Sequence, residues 1–143
     1  MEYCYQYPRP AVTVDMVILR NNEHGEGEVL LIKRKNVPFK GSWAIPGGFV
    51  NMDETLLQSA ERELAEETGL KGISLYQFYT FGDPGRDPRG RTISVAFWGY
   101  CDENKTVKAG DDASETKWFS LKRLPKMAFD HDLILKKALE EIP

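Results

Sequence analysis

Three carboxylates, Glu63, Glu66 and Glu67, stand close together in the run ERELAEETG at 61–69. On a helix, residues three and four apart share a side, so these acids can converge on one point. The spacing works against an isolated helix. Glu63 and Glu67 form an i,i+4 like-charge pair, and Glu66 and Glu67 fall in the last turn, where the dipole disfavours anions. From Glu54 to Glu67 five Glu face one Arg, a net of −4. A cation that gathers these oxygens reverses the sign of all three effects. Carboxylates without His or Cys select a hard ion such as Mg²⁺ or Mn²⁺. The alternative is a solvated acidic helix face, the usual meaning of a charge run.

The helical wheel sharpens the choice. With Leu56 at zero and about 100° per residue, Ala60, Leu64 and Leu57 define an apolar stripe from about 40° to about 100°. Glu67 falls at about 20°, between Leu56 and Ala60, and Glu63 at about −20°, on the stripe's edge. Glu66 lies beyond it, at about −80°. Two acids therefore face partly inward and a third flanks them.

The residues before the helix narrow the reading. Gly48, five residues, Glu54, seven residues and then RELAEETGL resemble the Nudix box, G-x5-E-x7-R-E-U-x-E-E-x-G-U with U aliphatic. Gly48, Glu54, Arg62, Glu63, Leu64, Glu66, Glu67, Gly69 and Leu70 match its specified positions, and the box spans 48–70. That many restricted positions at fixed spacing is far more specific than a short glycine motif. The resemblance implies an α/β fold, an α/β/α sandwich around a mixed sheet with a loop–helix–loop catalytic segment. It implies divalent-metal-dependent hydrolysis of a nucleoside diphosphate linked to another moiety. Carried over residue by residue, Glu63 and Glu67 become the main metal ligands, Glu66 binds or orients a further ion, and the carbonyl of Gly47 completes the first site. Glu66 and Glu67 thereby count as catalytic, and Arg62 and Glu54 pair to hold the loop against the helix. The glycines of IPGGF (45–49) let backbone approach the ions closely.

The stretch FGDPGRDPRGRT (81–92) is too long for a tight hairpin and carries Arg86, Arg89 and Arg91 in a chain of net charge −3. Arginine forks suit phosphate. Equally, Asp83 and Asp87 could pair with them in an ordinary solvated loop. A proline about fifteen residues past the last box glycine, here Pro84, is similar to the ADP-ribose pyrophosphatase group. That resemblance implies ADP-ribose as substrate, cleaved to AMP and ribose 5-phosphate. Other nucleotide derivatives, damaged nucleoside triphosphates and a non-catalytic ADP-ribose-sensing role stay open. Regulators of the last kind carry a winged helix after the Nudix domain, whereas this sequence stops at Pro143 after a single helix, so catalysis is expected. The resemblance also implies a further acid from a later loop. AGDDASETKWF offers Asp112 first and Glu115 second, with a plain polar turn as the alternative. Trp43 and Phe49 frame the glycine loop and could line the pocket or simply pack. Tyr3, Tyr5 and Tyr7 alternate like one face of an edge strand, for packing or a dimer contact in preference to stacking on adenine. His131 is expected to cap or pack near the start of the last helix, with Asp130 as its N-cap and a pocket-facing role open. A homodimer is implied by the resemblance.

These side chains need a scaffold. Its 143 residues suffice for one domain, 1–143, with a real core. The pI of about 5.5 gives no overall field favouring nucleic acid. No apolar run has membrane-spanning length, and the start lacks a signal peptide's regions. Cys4 and Cys101 match no metal or redox spacing, so a cytoplasmic protein with two reduced thiols is expected. PAVTVDMVILR (10–20) and VLLIKRK (29–35) read as a hairpin. A helix should run from about Glu54 to Thr68 and stop at Gly69. KGISLYQFYTF and RTISVAFWGYC read as two long strands, KWFSL as a short one, and DHDLILKKALEEI as a final amphipathic helix. Strands and two helices interleave in one layered α+β or α/β domain.

Overall fold

A computed structural model describes residues 2–102, 105–110 and 113–142. Strand β1 (Ala11–Asn21) organises the sheet. It runs parallel to the whole of β6 (Thr92–Tyr100), from Ala11 opposite Thr92 to Leu19 opposite Tyr100. Its other edge is divided. Leu19–Asn21 pair antiparallel with β2 (Gly27–Arg34), whereas Thr13–Asp15 pair antiparallel with β4 (Gly47–Phe49). Beyond the split, β2 takes β3 (Trp43–Ala44) on one side and β7 (Ala113–Ser120) on the other. β5 (Tyr76–Phe81) closes the far edge against β6. The result is a mixed seven-stranded sheet with a helix on each face, an α/β layered fold.

Alternation along β1 sorts the two cores, because successive side chains point to opposite faces. Val14, Met16 and Ile18 pack with Ala60 and Leu64 of α1 (Leu56–Thr68). Val17 and Leu19 pack with Ile134, Leu135 and Ala138 of α2 (His131–Glu141). Asp15 belongs to the second set by position and is buried all the same.

Helix α1 starts at a capping box. Thr55 Oγ1 accepts from the Gln58 N–H, and Gln58 Oε1 accepts from the Thr55 N–H. It stops where Gly69 adopts φ 78°, the left-handed conformation glycine tolerates best. Leu57, expected in the apolar stripe, is exposed, and Ser59 is buried in its place. The buried face, made of Ser59, Ala60, Leu64, Glu67 and Thr68, is centred close to Glu67.

Other boundaries also differ from the sequence reading. β5 begins only at Tyr76, because Gly72 takes a positive φ and breaks the extended run. β7 is longer than KWFSL, starting at Ala113, because the β2 ladder continues past Lys33. Residues 2–10 form no strand. Tyr3, Tyr5 and Tyr7 are exposed, with Tyr3 stacked on Tyr5 and Arg9 lying 3.8 Å over the Tyr5 ring. Among the described residues no helix is long and apolar enough to cross a membrane.

Candidate active site

The division of β1's edge opens a cleft of about 330 Å³ between β1, β4 and the end of β2. Backbone 45–48 crosses its floor. The Gly47 N–H donates to Glu67 Oε1 at 2.9 Å, tying the loop to the last turn of α1. Two glycines are required here by close approach. A Cβ on Gly48 would sit 2.3 Å from the Glu63 carboxyl carbon, and one on Gly47 would sit 2.2 Å from Asp15 Oδ1. The loop is thus wedged between a carboxylate of α1 and a carboxylate of β1. In an extended strand one residue's N–H and C=O leave on the same side. The Gly47 carbonyl therefore faces the α1 acids with its N–H.

Arg62 braces the acids. Its Nε donates to Glu54 Oε2 at 2.7 Å, Nη1 to Glu63 Oε1 at 2.8 Å and to Glu66 Oε2 at 3.3 Å, and Nη2 to the Phe49 carbonyl at 3.1 Å. The hydrogen bond from Arg62, then one from Ser59, pulls the Glu54 carboxyl down to about 2. Glu54 in turn pushes the Arg62 guanidinium upward. Glu67 is 4 % exposed, while the Glu66 side chain is largely open on the helix flank. The ordering drawn from the wheel, with Glu67 innermost and Glu66 outermost, is the one the structure has.

Glu63, Glu67 and the Gly47 carbonyl form an all-oxygen donor set, the chemistry a hard divalent ion requires. A Cβ at either glycine would fill the space beside it. The residues present therefore fit such an ion. Among the described residues no three His, Cys, Asp or Glu side chains are already gathered as ligands; the donors are two acids and a backbone oxygen.

The opposite wall comes from the 82–91 loop and the start of α2. Arg86 makes a fork onto Asp130, Nε to Oδ2 at 2.9 Å and Nη2 to Oδ1 at 2.7 Å. That fork explains why Asp130, at the N-cap position, makes no side-chain cap. Arg89 holds Asp87 with its backbone N–H at 2.9 Å and Nη2 at 2.8 Å. Burial pushes the Asp87 carboxyl up, but the hydrogen bonds and charge of Arg89, with the charge of Arg86, outweigh it and leave it below the usual range. The Arg89 guanidinium lies 4.8 Å from the Phe49 ring and 5.1 Å from the Phe129 ring.

Not every residue singled out in the sequence reaches the cleft. Gly47, Glu63, Glu67, Phe49, Arg86 and Arg89 line it. Arg91 does not; its Nη1 donates to the Gly82 carbonyl. Pro84 is exposed at the loop tip, away from the cleft. Trp43 turns into the core, edge-on to Phe119 at 4.8 Å, because strand alternation sends its neighbour Ala44 to the cleft instead. Glu115 is exposed opposite Lys33, on the face of β2 away from the cleft residues Ile32 and Arg34. Asp112 lies outside the described residues. In their place the cleft contains Asp15, Arg34, Phe129 and His131. His131, whose pocket-facing role the sequence leaves open, lines the cleft, and Asp15 is the charged exception in an apolar run; nothing in the sequence singles out Arg34 or Phe129.

His131 is buried, and its Nδ1 accepts from the Ile45 N–H at 2.9 Å. Its Nε2 lies 3.6 Å from Asp15 Oδ1, and Ser94 Oγ donates to Asp15 Oδ2. Burial chiefly lowers its pKa and outweighs the opposing charges of Asp15 and Asp130, so the ring is neutral near pH 7.

The family described as "NUDIX domain" matches residues 9–141. The chain belongs to the Nudix family. A curated Nudix relative, the ADP-ribose pyrophosphatase of Methanocaldococcus jannaschii, is 50% identical over 133 residues, covering 91% of this chain and 73% of that one. The ADPR responsive transcriptional repressor NtrR of Acinetobacter baylyi is 35% identical, over 95% of this chain but only 56% of its own length. Among solved structures, the NUDIX domain of Shewanella oneidensis NrtR complexed with ADP ribose superposes with a TM-score of 0.88 at 31% identity, over 96% of this chain and 91% of that one. The Nudix box thus coincides with the loop and helix that floor the cleft.

Proposed function

We propose that this chain is a divalent-metal-dependent hydrolase that cleaves the pyrophosphate of ADP-ribose to AMP and ribose 5-phosphate. The observation that carries the reading is the 50% identity to an ADP-ribose pyrophosphatase, in a chain whose box acids converge on the glycine loop. Glu63, Glu67 and the Gly47 carbonyl would hold Mg²⁺ or Mn²⁺, and Glu66 would hold or orient a further ion. When bound, such ions neutralise the pyrophosphate and activate water. Arg62 and Glu54 keep the helix and loop in register, so that the two ligand carboxylates and the Gly47 carbonyl stay on one side. Arg89 and Phe49 offer a charged and an aromatic surface at the mouth, and Arg86 fixes that wall by its fork. Of the acids beyond the box, Asp112 remains the proposed base, whereas Glu115 is set aside because it points away from the cleft.

Residues 1–143 act as one domain in this reading, in the cytoplasm and as a homodimer. Cys4 and Cys101 are both free thiols, which suits a reducing compartment. Sedimentation that gives only monomer at working concentration would remove the dimer.

A second reading is an ADP-ribose sensor, favoured by the likeness to a repressor. A panel of ADP-ribose, nucleotide sugars, dinucleotides and nucleoside triphosphates, assayed with Mg²⁺ and Mn²⁺ and with products identified, decides between them. AMP from ADP-ribose supports the hydrolase. Tight ADP-ribose binding without turnover under either ion supports the sensor. Pyrophosphate released from a triphosphate transfers the same site to another substrate class.

A further inference from the structure

The floor of the cleft depends on a bond that no backbone group supplies. Segment 127–131 runs beside β3 as a short parallel ladder. Trp43 bridges Met127, and the Ala128 N–H donates to the Trp43 carbonyl at 2.8 Å. The next rung of a parallel ladder would join the Ile45 N–H to the Ala128 carbonyl. That rung is missing, because the chain turns away at Phe129, whose φ is 52°. The Ala128 carbonyl accepts instead from the His131 N–H, at 3.2 Å, as α2 begins. Ile45 is 1 % exposed, so water cannot readily satisfy its N–H. The imidazole Nδ1 of His131 does so.

We propose that His131 is a positioning residue for the metal-binding loop, its Nδ1 anchoring Ile45 and so setting where Gly47 and Gly48 meet Glu63 and Glu67. The inference rests on the reading of those residues as the metal site. One residue, Pro46, separates the anchor from Gly47, whose N–H reaches Glu67 and whose Cα lies against Asp15. The tautomer follows from the geometry. A ring whose Nδ1 accepts carries its proton on Nε2, the nitrogen beside Asp15 Oδ1. Ser94 holds the other Asp15 oxygen. A β1 carboxylate therefore favours the tautomer that can accept from Ile45. A loop held less firmly there moves its glycines relative to the acids, which is felt as weaker ion binding and slower turnover.

The test uses the full chain with Mn²⁺ as probe. The Asn side chain places an oxygen where Nδ1 stands, whereas Leu offers no acceptor. His131→Leu should weaken Mn²⁺ affinity, measured by calorimetry, and lower kcat, each about tenfold or more, with KM changed less. His131→Asn should recover most of both. In the wild type, ¹⁵N NMR should find the proton on Nε2, and the Ile45 amide should exchange slowly with solvent. The proposal is overturned if His131→Leu matches wild type in Mn²⁺ affinity, if His131→Asn falls to the level of His131→Leu, or if the proton sits on Nδ1. The two wild-type measurements decide even if His131→Leu fails to fold. Failure to cleave ADP-ribose would remove the substrate reading yet leave the Mn²⁺ and tautomer tests in force.

Discussion

On one wall of the cleft, α1 and the turn before it set Glu54, Glu63 and Glu66 around a single Arg62. On the other, the 82–91 loop sets Arg86 against Asp130 and Arg89 against Asp87, one acid to each base. The helix wall has acid in excess, and its surplus is resolved by adding a cation. The loop wall is internally matched, so it presents a fixed shape more than a pool of charge. An arginine already forked onto a buried carboxylate is a poor phosphate hook, because a ligand would have to break that fork first. The surface the loop offers a substrate is the flank of Arg89 between two phenyl rings.

Substitutions on the two walls should therefore fail differently. The largest effect belongs to Glu67→Gln, expected to lower kcat by roughly 10²–10³-fold or more, as loss of a group that stabilises charge at the reacting centre does. The fold should persist, as thermal melts would report; an active Glu67→Gln protein would leave the helix wall without special standing. Gly48→Ala comes next. The new methyl displaces the Glu63 carboxylate, and misplacement on that scale costs about 10²-fold in turnover. Arg86→Ala should act on stability instead, because it strands Asp130 in a mostly buried pair; about 3 kcal/mol is expected from denaturant titration. If Arg86→Ala keeps its stability but raises KM for ADP-ribose sharply, the loop wall binds phosphate directly and the contrast collapses.

Acid titration touches both walls, because Asp87 is also held low, but a substitution at Glu54 isolates the helix wall. Glu54 is ionised in the folded chain down to about 2, below its ordinary 4.5. Its stabilising interaction is complete above pH 4.5 and is lost as pH falls toward 2. Melting temperature measured across that window should fall less steeply in Glu54→Gln than in wild type. The smallest expected change is Thr55→Ala, which removes the cap of α1 at about 1 kcal/mol; it should leave KM unmoved.

The helix wall was legible in the sequence because its constraints are local. Helical period, a terminating glycine and fixed offsets from Gly48 to Leu70 suffice to place Glu63, Glu66 and Glu67. The capping box at Thr55 is equally local, and it starts the helix at Leu56, after the expected Glu54. The loop wall was only half legible. Arg86, Arg89 and Arg91 are alike in sequence, and tertiary partners alone distinguish them: Asp130 just before α2, two phenyl rings, and a loop carbonyl. Trp43 illustrates the same limit, since a two-residue strand gives no period from which to read a face. Asp15 and His131 are separated by most of the chain, and nothing in either neighbourhood announces that β1 and α2 will bring them to 3.6 Å.

The parallel pairing of β1 with β6 has a consequence for how the molecule assembles. The partners are roughly 80 residues apart along the chain, and contacts so distant slow the search for the native state. β6 emerges well after the helix that bears the acids, and it carries Ser94, the residue that holds Asp15. α2, with its imidazole, emerges later still. A divalent ion therefore has no finished cradle to nucleate around during synthesis. On the proposed reading of the site, a bound ion would stabilise a chain in which β6 and α2 have docked over one in which they have not.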